Sequence, residues 1–456
     1  MEKRISRYEI DMVNGPLFSG ILRFALPLAL SGILQLTFNA ADVIVVGQYA
    51  GTTALAAVGS TGALINLIIN LFTGLSIGVN VLVANYRGAG RDDDAEKTVH
   101  TAILTAFFGG IVLVFVGVLL SKPLLQLMDT PANVIDQSVL YMRIYFMGMP
   151  AFMVYNFGAA IFRAVGDTKR PLYFLTIAGV VNVVLNLVLV IVFRLGVAGV
   201  AIATVASQVI SAVLIIISML KTQGICHLDP SKLQLDMHKL VRIVRIGLPA
   251  GLQGSLFSIS NVLIQSSVNS FGDLVMAGNT AAGNLEGFVY TSMNALYQAN
   301  LSFTGQNYGA HNHPRIKKVL VYCLGIVAVF GATIGNLVYL FGPYLLRLYN
   351  SDPMVIQYGM NRLQIVSSMY FLCGMMEVAS GSLRGLGYAV APMIVSLTGA
   401  CALRILWIYT IFAAWHTQFS LYISYPISWV ITLAAHLICF AIVYKKRFSS
   451  TAVLQS

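Results

Sequence analysis

Charge is what this 456-residue chain has least of: 10% of its residues are Asp, Glu, Lys or Arg, 57% are hydrophobic, and the mean hydropathy is +0.80. That balance excludes a soluble globular domain and a disordered chain alike. Acids are scarcer than bases, 17 against 28, and the net charge of +11 would suggest nucleic acid if the chain were soluble. Cysteine is sparse too. Of the five, Cys323, Cys373, Cys401 and Cys439 fall in apolar runs and Cys226 in a polar connector, so no disulfide framework is expected. The opening residues Met1 to Gly15 are polar and no small-residue cleavage site follows, which argues against a removable signal peptide.

What the chain has instead is long apolar runs, each at least the roughly 20 residues that span a hydrocarbon core about 30 Å thick. There are twelve, near 20–46, 54–84, 99–120, 138–162, 171–193, 197–220, 243–268, 275–304, 319–341, 358–383, 391–414 and 419–444. An even number places both termini on one side. Of the 28 basic residues, 21 fall on that side, from Lys3, Arg4 and Arg7 at the start to Lys445, Lys446 and Arg447 at the end. The opposite loops hold only Lys122, Arg194 and Arg347, while Arg23, Arg143, Arg362 and Arg404 lie within spans. Such asymmetry is the positive-inside pattern, so a multi-pass protein of the cell membrane with cytoplasmic termini is expected, and the basic balance does not imply nucleic acid.

The first run carries Asn39 and Asp42 inside its hydrophobic stretch. A carboxylate at a helix centre costs roughly 2.5 to 3.5 kcal/mol on insertion scales, so it is kept for a use or it snorkels from a helix end. The functional reading is a proton or cation handle of a secondary transporter, since a carboxylate changes charge by taking up a proton. Asn39, three residues earlier, shares its helix face. Asn182 and Asn186, one turn apart in the fifth run, are positioned either to donate to Asp42 and its water or to make helix–helix hydrogen bonds.

A displacement of 221 to 222 residues maps the first half onto the second. Pro27 in LRFALPLAL falls on Pro249 in VRIGLPAGL, NYRGAG on QNYGAH, and FRAVGDTKRP on LRGLGYAVAP, which pairs Arg163, Gly166 and Pro171 with Arg384, Gly387 and Pro392. The expected architecture is an all-α membrane protein of twelve transmembrane helices in two six-helix lobes, related by a pseudo-twofold axis along the membrane normal. The lobes read as residues 1–220 and 241–456, joined by a polar connector at 221–240. Repeat interfaces near mid-membrane are where transporters bind substrate.

Two more acids fall well inside spans, Glu286 and Glu377. By repeat, Glu377 stands at the place of Asn156, and it is read as a second coupling or cation-binding acid. Arg404, near mid-depth, needs a partner there, for which Glu286 and Glu377 are the candidates. Arg143 and Arg362 read as snorkelling anchors. Methionines at 142, 147, 149, 153, 369, 375 and 376, with Tyr155, Tyr290, Tyr297 and Phe288, suit either a cavity for varied shapes or ordinary core filling. The acidic run Asp92 to Glu96 and the pair His311 and His313 read mainly as helix starts; neither makes a metal site.

The stretches GLSIGVNVLVANYRGAG at Gly74 to Gly90, FTGQNYGA at Phe303 to Ala310, AADVIVVG at Ala40 to Gly47 and GVAGVAIATVASQ at Gly196 to Gln208, with the paired loops RAVGDTKRP and RGLGYAVAP, resemble the multidrug and toxic compound extrusion (MATE) family. The resemblance covers nearly the whole chain. It implies two lobes across a V-shaped cavity and export of amphipathic, often cationic compounds against inward flow of protons or sodium ions, with no cofactor. It places the first-helix aspartate at Asp42. The family's fifth-helix Asn and Asp, four apart, correspond here to Asn182 and Asn186, so the second acid is missing. The seventh-helix acid of one branch has only Gln253 for a match, whereas Glu377 stands close to that branch's tenth-helix acid.

The site expected from all this comprises Asp42, Asn39, Asn182 and Asn186 for the coupling ion, and Glu377, Glu286, Arg404, Asn156, Gln253 and Tyr290 for substrate. The partners expected are small organic molecules and the bilayer, handled by a monomer. The nearest rival is a flippase for lipid-linked saccharide. An integral-membrane enzyme would need clustered acid, His or nucleophile motifs at one surface, and a channel a pore-loop signature; neither is present in the sequence.

Overall fold

The structure, a computed structural model, describes residues 8–128 and 130–452. Lys3, Arg4 and Arg7, which contribute to the charge asymmetry, lie outside the described residues. Every regular element among the described residues is helical. Eight helices are long and apolar enough to cross a membrane: α1 (Leu17–Ala50), α2 (Thr52–Gly88), α3 (Asp92–Leu127), α5 (Lys169–Val192), α6 (Gly196–Lys221), α9 (His313–Leu340), α11 (Val390–Phe412) and α12 (Gln418–Phe448). Two more spans are bent pairs. α4 joins Ala132–Met147 to Met149–Ala164 at 48°, and α10 joins Pro353–Ser367 to Phe371–Gly385 at 41°. The remaining two, α7 (Met237–Asn269) and α8 (Asp273–Gly309), have 33 and 37 residues and are richer in polar side chains. The twelve apolar runs of the sequence are these twelve helices.

The chain forms two compact units that are not continuous in sequence. Among the described residues, the first holds Leu30–Gly251 with those that precede Met12, and the second holds Met12–Ala29 with those from Leu252 on. The 221–240 connector therefore belongs to the first. Both α1 and α7 change unit two residues after the prolines that the repeat pairs, Pro27 and Pro249. A proline inside a helix removes one backbone hydrogen bond and crowds the preceding turn, which marks both places as weak points of their helices.

In the first unit α7 crosses α2 with almost no space between backbones. A Cβ on Gly74 would lie 2.2 Å from the Gly251 nitrogen, and one on Gly251 would lie 2.2 Å from the Leu71 carbonyl oxygen. Gly74 and Gly78 on α2 meet Gly247 and Gly251 on α7, the small-residue spacing that lets membrane helices approach. In the second unit the Met12 segment is held by Asn307 and Arg315, which donate to the Met12 carbonyl at 3.0 and 3.2 Å, while Phe24 packs edge-on against Phe303. The paired loop glycines both adopt left-handed backbone, φ 97° at Gly166 and 86° at Gly387.

The connector is docked on the ends of α2 and α3. Lys239 Nζ donates to Tyr86 Oη at 2.8 Å and to Asp94 at 2.6 Å, Lys232 reaches Glu96 at 3.1 Å, and the backbone N–H of Asp229 donates to His100. The acidic run at 92–96 thus opens a helix, as its sequence suggests, and also anchors the connector. Cys226 is 2% exposed there, and burial pushes its thiol up to about 12. His313 stacks on Phe448 at 3.9 Å.

The second unit is braced by an ion pair that the sequence did not reveal. Arg362 donates to both carboxylate oxygens of Glu286, at 3.1 and 2.6 Å, and to Asn279 Oδ1 at 2.7 Å. Arg362 is 9% exposed, so it is not the snorkelling anchor expected from its place near a span end. The pair ties α8 to α10. Removing one partner strands a buried charge, at a cost of about 3–5 kcal/mol. Arg362→Ala is therefore expected to lower the thermal unfolding temperature in detergent sharply, and Arg362→Met with Glu286→Leu to cost less than Arg362→Ala alone; equal stability of Arg362→Ala and wild type contradicts the bracing role.

Candidate functional site

Asp42 is set against α5 by a ring in a groove. A Cβ on Gly179 would lie 1.9 Å from the Phe38 ring, so only glycine lets α1 come this close. Asp42 follows Phe38 by one helical turn, and Asn186 follows Gly179 by two, which brings them together. Asn186 Nδ2 donates to Asp42 Oδ1 and lies 3.4 Å from Asn182 Oδ1. Asn186 Oδ1 is buried without a donor, leaving one open acceptor beside the carboxylate. The field of Asp42 also reaches the phenols of Tyr141 and Tyr145 on α4, whose rings lie 6.0 Å apart. Asn39, by contrast, is exposed, and its side chain makes no recorded hydrogen bond among the described residues.

The arrangement is one carboxylate among neutral amides and phenols. It can hold a proton, or a cation through the carboxylate and the amide oxygens. Among the described residues no cluster of three or more His, Cys, Asp or Glu exists that could chelate a metal.

In the second unit Glu377 and Arg384 lie seven residues apart on one face of α10, about 10 Å along the axis. Arg384 donates to Tyr297 Oη and to Gln253 Oε1, both at 2.6 Å. Gln253 is thus committed to a guanidinium. Glu377 is half-buried, and among the described residues its carboxylate makes no hydrogen bond. Tyr290 is 37% exposed beside it. Asn156, the repeat counterpart of Glu377, spends its amide on its own helix, donating to the Phe152 carbonyl at 2.8 Å.

Two expectations are corrected here. Glu286 has both oxygens taken by Arg362, so it presents no free carboxylate to a substrate. Arg404 meets neither acid: its Nε donates to Ser428 Oγ at 2.8 Å, its guanidinium lies over the Tyr425 ring at 4.3 Å, and Nη2 is buried without an acceptor. Sequence depth alone shows that a buried arginine needs a partner, and cannot say which helix supplies it.

The sequence also gave no sign of the π-helical turns beside these groups. α1 passes into a π turn at Val46–Ala50, just after Asp42, and α5 at Leu187–Val192, directly after Asn186. Leu363–Ser367 follows Arg362, and Arg404 sits between Leu397–Ala402 and Ile408–Phe412. Such turns are uncommon and gather at functional sites, because they loosen the backbone hydrogen-bond ladder.

Comparison with known proteins places this geometry. The MatE family model matches residues 27–188 and 249–410, two segments displaced by 222 residues, as is the internal repeat. The chain is 29% identical to the probable multidrug resistance protein YoeA of Bacillus subtilis, over 82% of both chains. It is 25% identical to a protein of Shewanella oneidensis named FAD transporter, over 85% of this chain and 86% of that one. Among solved structures, a MATE transporter in complex with MaL6 superposes with a TM-score of 0.88 at 21% identity, covering 96% of this chain and 98% of the other. A multidrug resistance MATE transporter in its outward-facing conformation gives the same TM-score at 21% identity, over 97% and 98%. With the family model covering most of its length, this multi-pass membrane protein belongs to the MatE family.

Proposed function

We propose that the protein is a proton-coupled antiporter that exports amphipathic, mostly cationic organic compounds, with Asp42 as the proton carrier. The observation that supports this most is the contrast among the intramembrane acids. Glu286 is locked to a guanidinium, whereas the hydrogen bond that Asp42 accepts comes from a neutral amide. A carboxylate so placed can gain and lose a proton without breaking an ion pair. Sodium is the other candidate ion, but one carboxylate and two amide oxygens make a thin shell for it. Relatives named for multidrug resistance and multidrug export support the substrate class. Nothing among the described residues favours the saccharide flippase, and the family consists of transporters, not enzymes.

Asp42→Asn keeps size and hydrogen bonding and removes titration. In proteoliposomes with proton and sodium gradients imposed separately, wild type is expected to expel ethidium under the proton gradient. Asp42→Asn should insert normally and lose gradient-driven efflux by about a hundredfold or more, the scale of removing a positioned proton-transfer group. Wild-type efflux by Asp42→Asn overturns the role of Asp42, and efflux driven by sodium alone reassigns the ion.

Cytoplasmic termini are part of the same proposal, supported by the charge asymmetry of the loops. Cys226 is too buried to report sidedness, whereas Gln234 in the connector is exposed. In a background without native cysteines, Gln234→Cys should resist an impermeant maleimide added to intact cells and react after permeabilisation; labelling of intact cells reverses the topology.

A further inference from the structure

The two units balance charge differently at equivalent helix starts. In the first unit α3 opens with DDDAEK at Asp92–Lys97, and its acids meet bases: Asp94 holds Arg91 and Lys239, each at 2.6 Å, and Glu96 holds Lys232 at 3.1 Å. A displacement of 221 residues carries that stretch onto HPRIKK at His313–Lys318, the opening of α9. The acids are gone there, and three bases stand instead. Of the acids described in the second unit, Asp273 and Asp352 stand at the starts of α8 and α10, at the other end of the spans, and Glu286 and Glu377 lie inside them. Lys317, Lys318, Lys445, Lys446 and Arg447 are all exposed, and none makes an ion pair with a described residue. Two of these bases are fixed on an aromatic platform built where α9 begins and α12 ends. Phe448 meets His313 at 3.9 Å, Tyr444 at 4.8 Å and Tyr308 at 6.3 Å, and Tyr444 Oη donates to the His313 carbonyl at 3.1 Å. Lys317 Nζ lies 4.3 Å from the Tyr444 ring centre, and Arg447 donates to Tyr308 Oη through Nε, at 3.1 Å, and through Nη2. These partners are neutral, so they position two cations around one platform and leave both charges uncompensated. Both α9 and α12 pack against the second half of α10, and on each the basic end continues an exposed apolar face. Tyr322 and Val329 follow Lys318 by four and eleven residues, and Ile442 and Ile438 precede Lys446 by four and eight; all four are exposed. Cations at the end of two exposed apolar faces are the complement of an amphiphile with an anionic head.

We infer that Lys317, Arg447 and Tyr308 seat the phosphate of an anionic phospholipid, with Lys318 and Lys446 at its edge and the acyl chains along the exposed faces of α9 and α12. The Tyr308 hydroxyl accepts from Arg447 and keeps its own hydrogen for a phosphate oxygen. A zwitterionic phospholipid carries its own cation beside the phosphate and gains less here, so the seat discriminates by the net charge of the head. The start of α3, whose bases are paired with acids of the chain, lacks that excess charge. The inference concerns the surface of the second unit and stands independently of Asp42 and of the transported compound.

Native mass spectrometry of the purified protein reads lipid retention directly. With palmitoyl-oleoyl phosphatidylglycerol and the matching phosphatidylcholine added at the same concentration, wild type is expected to retain phosphatidylglycerol preferentially. Lys317→Gln with Arg447→Gln should lower that retention by about tenfold or more, the scale of two basic residues at an anionic surface, and leave phosphatidylcholine unchanged. Lys122→Gln with Arg347→Gln removes the same charge near the far ends of α3 and α9 and should behave as wild type. Glycerol 1-phosphate, which has the phosphate without the chains, should displace no lipid at the lipid's own concentration. Equal retention of the two lipids by wild type overturns the inference whether or not the variants fold. A loss in the Lys122 and Arg347 control as large as in the platform variant overturns it too, and displacement by glycerol 1-phosphate assigns the platform to a free anion instead of a lipid.

Discussion

A polar group placed in hydrocarbon must find its partner inside the protein, and that requirement fixes where the polar side chains of these spans come to rest. Glu286 and Arg362 satisfy each other and Asn279, which turns three costly groups into a brace between α8 and α10. The two terminal nitrogens of Arg384 donate to neutral oxygens, those of Tyr297 and Gln253, and its buried Nε has no hydrogen-bond partner among the described residues. Asp42 is satisfied by an amide. The difference in partner charge separates structure from function: a carboxylate paired with a cation is held in one charge state, and one paired with an amide is not.

The backbone around these groups is built to a common pattern. Asp42, Asn186, Arg362 and Arg404 each lie on a helix that enters a π turn within a few residues of them. A π turn widens the helix by one residue and weakens its ladder locally, so each group is borne on backbone that can rearrange at small cost. The rigid parts lie elsewhere, in the glycine contacts of α7 with α2 and in the docked connector.

Much of this was legible in the sequence, for physical reasons. Run length against bilayer thickness located all twelve helices, including the polar α7 and α8. The 222-residue displacement reappears in the spacing of the two family-matched segments and in the paired unit changes after Pro27 and Pro249. Asp42 and Asn186 were readable as partners because the family resemblance aligned them. Pairings without such a guide were not. Arg362 and Glu286 are 76 residues apart, and depth along a helix does not reveal the angle at which a side chain leaves it. Arg404 shows the same limit: its depth demanded an acid, and the fold supplied aromatic rings. The 221–240 segment read only as a polar connector, because its lysines meet their acids only once α3 is brought beside them.

If Asp42 holds the proton that a cationic substrate displaces, binding and proton release are one event, and both can be followed without a gradient. In weakly buffered detergent solution with a pH indicator, adding ethidium to the purified wild-type protein should release protons in proportion to the substrate bound. Asp42→Asn should bind ethidium and release none. Equal proton release from Asp42→Asn, or none from wild type at saturating ethidium, contradicts the assignment of the coupling proton to Asp42.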